Sequence, residues 1–195
     1  MLTARQRSIT DAALAVIAEN GIETLTVKAI GKRLRISDAA LYKHFPGKND
    51  ILAAIVDLFR DGSLDALKKI NDNGICSSLE RIGRFLIDRA EYFSANPSFV
   101  TVMFPETMLR GNKKLFRTVL EGMDAHKQAV VGIIRQGQSA REIVMEDPDD
   151  MFMIIMGAFR LLLTRWMYSG NDFDLVKKTR ALFETIKPLL TANKK

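Results

Sequence analysis

The chain has 195 residues, 47% of them hydrophobic, which is enough for a small module plus a second region with its own core. Its net charge of +6 favours a polyanionic partner, and residues 1–60 hold half of that excess, with nine Lys and Arg against six Asp and Glu. A lone cysteine, Cys76, excludes a disulfide framework within the chain and suits a reducing, cytoplasmic compartment; two histidines, His44 and His126, leave no spacing for a Ser-His-Asp triad or a histidine metal site. No glycine-rich phosphate loop is found either, so an enzyme, a cofactor and a metal are all unexpected.

In chain order, Ile9, Ala13, Val16 and Ile17 recur at helical spacing and predict a first helix over 3–20, ended by Gly21. Ile22 and Leu25 follow as an apolar strap. Thr26 caps a second helix with Val27, Ile30 and Leu34 on one face and Lys28, Lys32 and Arg33 on others. Arg35 and Ile36 make the break. Ser37 or Asp38 caps a third helix, expected from Asp38 to Phe45, in which Leu41 and Phe45 face the second; Pro46 and Gly47 stop it. Its other faces present Asp38, Ala39, Tyr42, Lys43 and His44. An α-helix fits the major groove of DNA, and two helices locked by an apolar contact would hold such a surface rigid. From periodicity alone, an ordinary helical hairpin with a solvated polar face remains an equal alternative.

The run from Ile36 to Lys48, ISDAALYKHFPGK, together with the helix before it, resembles the recognition element of the TetR family of bacterial transcriptional regulators. The resemblance covers about the first third of the chain and fades afterwards. It implies base contacts from Asp38, Ala39, Ala40 and Lys43, and phosphate contacts from Thr26, Tyr42, His44 and Lys48. Lys28, Arg35 and Ser37 complete the candidate DNA-binding set. Where the family usually places alanine and glycine before the turn, this chain has Leu34 and Arg35, so a non-glycine residue is expected at positive φ. Arg35 could also reach a phosphate.

Beyond Gly47, a fourth helix starts with Asp50 in its first turn and runs to Asn71-Asp72-Asn73-Gly74, with Ile51, Ile55, Leu58 and Phe59 as its stripe. By the resemblance it is the lever between an effector site and DNA. Leu79, Ile82, Leu86 and Phe93 predict a helix over 77–95 closed by Asn96-Pro97, and Pro105 and Gly111 chop the Phe- and Met-rich stretch that follows. A long helix resumes at Lys113 and is expected to end at Gly137-Gln138-Ser139. Asp147-Pro148-Asp149-Asp150 opens another, running to Ser169. Its apolar Met151–Tyr168 stretch contains Arg160 and Arg165, costly in lipid, and is expected to lie buried between protein helices, with no membrane involved. A last helix, capped by Asp172, carries Leu175, Leu182, Phe183, Ile186 and Leu190. The two closing helices offer a face for a homodimer through a four-helix bundle, as the family does.

The expectation is therefore an all-α chain of about nine helices. Residues 1–47 form a helix-turn-helix DNA-binding domain and residues 48–195 a helical effector-binding and dimerisation domain. Core packing accounts for most of the Phe and Met positions. By the resemblance a cavity lies among Tyr92, Phe99, Met103, Phe104, Met108, Phe116, Met123, Phe159 and Trp166, and apolar lining points to a hydrophobic or aromatic effector. The function implied is a ligand-responsive repressor that binds a palindromic double-stranded operator as a dimer. The runner-up is a DNA-bound protein of the same fold acting through a protein partner, in the manner of a nucleoid-associated division inhibitor. An all-α enzyme or carrier with a vestigial DNA head would need paired ionisable groups, which the sequence does not offer.

Overall fold

A computed structural model of the chain describes residues 2–72, 76–103 and 113–192. Its helices are α1 (Ala4–Asn20), α2 (Val27–Leu34), α3 (Asp38–Tyr42), α4 (Lys48–Asp72), α5 (Ser78–Ala95), α6 (Ser98–Met103), α7 (Lys113–Ser139), α8 (Pro148–Tyr168) and α9 (Leu175–Leu190), with one 3-10 turn at Ile22–Thr24. The chain divides into two compact units, residues 1–60 with 97–122 and residues 61–96 with 123–195.

In the first unit, α1 begins with a capping box: Thr3 Oγ1 accepts from the Gln6 N–H, and Gln6 Oε1 accepts from the Thr3 N–H. Gly21 ends it at φ 81°, donating its N–H to Ile17. The core of the head is Ile9, Ala13, Leu25, Ile30, Leu41, Ile51, Leu52 and Ile55, all with no exposed surface. Each large side chain among them stabilises the unit by about 1.5–3 kcal/mol relative to exposure. The α6 helix also packs against α1.

The recognition helix is shorter than its periodicity suggests. It ends at Tyr42, and Lys43 and His44 lie in a turn in which the N–H groups of His44 and Phe45 both donate to Leu41 O. Pro46 contributes, because it has no N–H to bond Tyr42 O, four residues back, and its ring would press on that carbonyl. Phe45 still reaches the core, at 5% exposure.

In the second unit, α5 packs against α9, with the Phe183 ring against Gly83, and α8 packs against α9. The α5 helix starts with a second capping box, Ser77 with Glu80. Gly137, expected to terminate α7, lies inside it. A Cβ there would come within 2.6 Å of Ile143 and 2.8 Å of Ser78, so this glycine serves close packing and the helix runs on to Ser139. Asp147 caps α8 by accepting from the N–H groups of Asp149 and Asp150.

The α8 helix departs from the expectation of full burial. Met151, Ile155, Phe159, Leu163 and Trp166 form its buried stripe, while Met153, Ile154, Leu161 and Tyr168 on the other side are 54–79% exposed. By length and composition alone, with a mean hydropathy of 1.3, it could cross a membrane. A helix apolar all round needs a second surface to bury against. The cap of α9 is Asp174, not Asp172: Gly170 and Asn171 turn the chain at positive φ, and Trp166 Nε1 donates to Phe173 O at 3.0 Å, so the helix can start only after Phe173. An isolated antiparallel bridge joins Ile143 to Thr191, flanked by Val144 N–H to Leu190 O and Ala192 N–H to Glu142 O.

Candidate nucleic-acid interface

The geometry of the head follows from two caps and one unusual turn. Thr26 Oγ1 accepts from the Ala29 N–H at 3.0 Å and starts α2; Ser37 Oγ accepts from the Ala40 N–H at 3.2 Å and starts α3. Losing either cap costs about 1 kcal/mol. Between them Arg35 adopts φ 54°, ψ 45°, the left-handed conformation expected of this non-glycine turn residue. Its N–H closes α2 on Gly31 and Lys32, and the Ile36 N–H also returns to Gly31 O at 3.0 Å. Gly31 permits this closure, since a Cβ there would meet Ile36 O at 3.0 Å and Asp38 Oδ1 at 3.2 Å.

The result is a helix-turn-helix that shows its polar side to solvent. Thr26, Lys28, Arg35, Ser37, Asp38, Ala39, Tyr42 and Lys43 are exposed, Tyr42 at 53%, while Ala40, His44 and Lys48 are half-buried. Thr26, Lys28, Asp38, Tyr42 and Lys48 line one open groove of about 570 Å³, together with Gly47, Asn49 and Asp50. The N-termini of α2 and α4 both border this groove. First-turn N–H groups have no intrahelical acceptor and the helix dipole is positive there, so both ends suit an anionic oxygen. Lys28 and Lys48 add two cations to the lining, and Asp38 and Asp50 two carboxylates. Arg33, by contrast, is held by Glu19 at 2.8 Å.

One contributor escaped sequence reading. Gln6 Nε2 donates to His44 O at 3.3 Å, tying the start of α1 to the turn after α3. The Thr3-x-x-Gln6 spacing ahead of the Ile9 stripe marks the capping box that holds Gln6, not its bond to His44.

The candidate effector residues are scattered in character. In the first unit, Phe99 is buried with its ring 6.2 Å from that of Phe59, Met103 is half-buried, and Phe116 is 46% exposed. In the second, Phe159 and Trp166 are buried, Met123 is 49% exposed, and Tyr92 is half-buried beneath the Arg89 guanidinium, 5.1 Å from its centroid. Arg89 is itself buried and bonded to Asp88. Phe104 and Met108 lie outside the described residues. Among the described residues no cluster of His, Cys, Asp or Glu is placed to hold a metal, and His126 stands 6.4 Å, ring to ring, from Phe85.

Comparison with known proteins agrees with this geometry. The sequence model for "Bacterial regulatory proteins, tetR family" matches residues 9–55. The chain is 24% identical over 182 residues to the fatty acid metabolism regulator protein of Bacillus subtilis, covering 91% of each. It is 23% identical over 193 residues to the nucleoid occlusion factor SlmA of Actinobacillus pleuropneumoniae, covering 95% of this chain and 92% of that protein. Its fold matches the transcriptional regulator FadR of Bacillus subtilis, solved in complex with stearoyl-CoA, at a TM-score of 0.77 and 23% identity, over 92% of this chain and 96% of the other.

Proposed function

Because the chain belongs to the TetR family of bacterial regulatory proteins, we propose that it is a cytoplasmic, ligand-responsive transcriptional repressor that binds a palindromic operator as a homodimer. The observation that carries this reading is the exposed, capped α2–α3 pair, whose groove gathers Thr26, Lys28, Tyr42 and Lys48 for phosphates beside Ala39 and Lys43 for base edges. Lys43 suits a guanine edge and Ala39 or Ala40 a thymine methyl. Residues 1–47 read DNA in this account, and residues 48–195 bind the effector and dimerise.

Dimerisation is supported by the exposed row Met153, Ile154, Leu161 and Tyr168 on α8, with Leu189 of α9 70% exposed. Gly157 lies in the same row with nothing within 4 Å of its Cβ position, room for a partner helix to approach closely. Two-fold symmetry then places half-sites about one DNA turn apart. The effector is a hydrophobic molecule. A long acyl thioester is the class supported by the likeness to a FadR solved with stearoyl-CoA and to a fatty acid metabolism regulator. A thousandfold loss of DNA affinity on effector binding corresponds to about 4 kcal/mol of coupling.

The near-full-length likeness to a nucleoid occlusion factor favours a second reading, in which the DNA-bound protein acts through a protein partner. Fluorescence anisotropy on the DNA upstream of the protein's own gene and on a scrambled duplex, with stearoyl-CoA then titrated in, separates these. Specific binding reversed by the acyl thioester is expected. Specific binding indifferent to hydrophobic ligands of every class would favour the partner reading, and equal, salt-erased binding to both duplexes would refute the repressor.

A further inference from the structure

The start of α1 carries charge that the helix itself does not want. Arg5 and Arg7 are exposed in or next to its first turn, which holds no acid. Cations at the positive end of a helix dipole are unfavourable, and acids are the usual occupants. Neither guanidinium has an ion-pair partner among the described residues, whereas Arg33 and Arg60 of the same unit are paired with Glu19 and Asp57.

Their position is fixed by the residue between them. Gln6 is locked by the Thr3 capping box and donates to His44 O at 3.3 Å, in the turn that connects the recognition helix to α4. His44 and Lys48 are the candidate phosphate contacts of that turn. Arg5 and Arg7 therefore flank, in sequence, the residue that ties the start of α1 to the turn carrying His44.

We propose that Arg5 and Arg7 bind backbone phosphates next to those met by His44 and Lys48, extending the DNA footprint beyond the helix-turn-helix. This rests on the DNA-binding function above. In it, the unfavourable charge at the start of α1 is relieved when the duplex arrives, and the contribution is to affinity and register rather than to sequence choice.

The test uses the full chain on the operator duplex and on a scrambled duplex, with affinity followed against salt. Each lost phosphate contact lowers the log–log salt slope by about 0.9, so Arg5→Gln/Arg7→Gln is expected to lower it by about 1.8 on both duplexes. Between about 50 and 200 mM salt, the ratio of wild-type to variant affinity then changes about 12-fold. The free variant should melt at or above the wild-type temperature, because the substitution removes repulsion from the helix end. A wild-type salt slope in the variant would overturn the proposal while leaving the operator binding standing. So would an equal drop in Lys68→Gln/Lys69→Gln, exposed cations outside the head, since net charge alone would then explain it. A wild-type protein that binds neither duplex would overturn this proposal and the function together.

Discussion

Replacing Arg35 by glycine should stabilise the protein and weaken its grip on DNA. Arg35 sits at φ 54°, ψ 45°, where a residue with a Cβ is disfavoured by roughly 1–2 kcal/mol relative to glycine. Glycine gives back about 0.4–1 kcal/mol through the greater freedom of the unfolded chain. The backbone bonds to Gly31 and Lys32 survive the change, and the side chain is exposed, so no packing is lost. The net expectation for Arg35→Gly is a gain of about 0.5–1 kcal/mol, which for a chain of this size raises Tm by roughly 1–4 °C. Its DNA affinity should meanwhile fall similarly on all sequences, with the log–log salt slope reduced by about 1, the signature of one lost phosphate contact. Differential scanning calorimetry and a salt series by anisotropy read the two effects separately. A fall in Tm would refute the strain argument, and an unchanged salt slope would refute the phosphate contact.

Gly31→Ala should do the opposite in the same turn: its Cβ would press on Ile36 O at 3.0 Å, costing about 1–3 kcal/mol in urea unfolding and loosening α3 against α2. In the second unit, hydrogen bonds from Ser77 hold the Glu80 carboxyl below its ordinary value of 4.5. A depressed folded-state pKa contributes stability that is present above the unfolded value and lost as pH falls through the folded one. The advantage of wild type over Glu80→Gln should therefore be full at neutral pH and shrink progressively as the pH falls below 4.5. Leu161→Arg, placed in the exposed row of α8, should leave the fold intact but give a monomer by analytical ultracentrifugation and lose operator binding, because a lone head meets only one half-site.

What could be read from sequence was whatever acts locally. The caps Thr26 and Asp147, the stop at Gly21 and the positive φ of Arg35 each follow from neighbours within a few residues, and each is present. The errors came from distant partners. Gly137 looked like a terminator because its reason, the approach of Ile143 and Ser78, is invisible locally. The α9 cap shifted to Asp174 because Trp166 holds Phe173 from the preceding helix. The α3 end moved to Tyr42 because the influence of Pro46 reaches further back than the apolar spacing of Leu41 and Phe45 suggests. At the interface, exposure of Asp38, Ala39, Tyr42 and Lys43 followed once Leu41 and Phe45 faced inward. The Gln6 tether could not be seen, since it spans 38 residues. The effector residues were the hardest to read, because a Phe or Met stripe has the same spacing whether it lines a cavity or fills a core.

The central claim is that α3 reads a specific DNA sequence, and the most direct measurement is the affinity of wild type and Tyr42→Ala/Lys43→Ala for the upstream duplex and its scrambled counterpart at moderate salt. The account predicts that wild type prefers the upstream duplex by at least about a thousandfold and that the double variant retains its melting temperature but loses that preference. Undiminished discrimination in the folded double variant would contradict it.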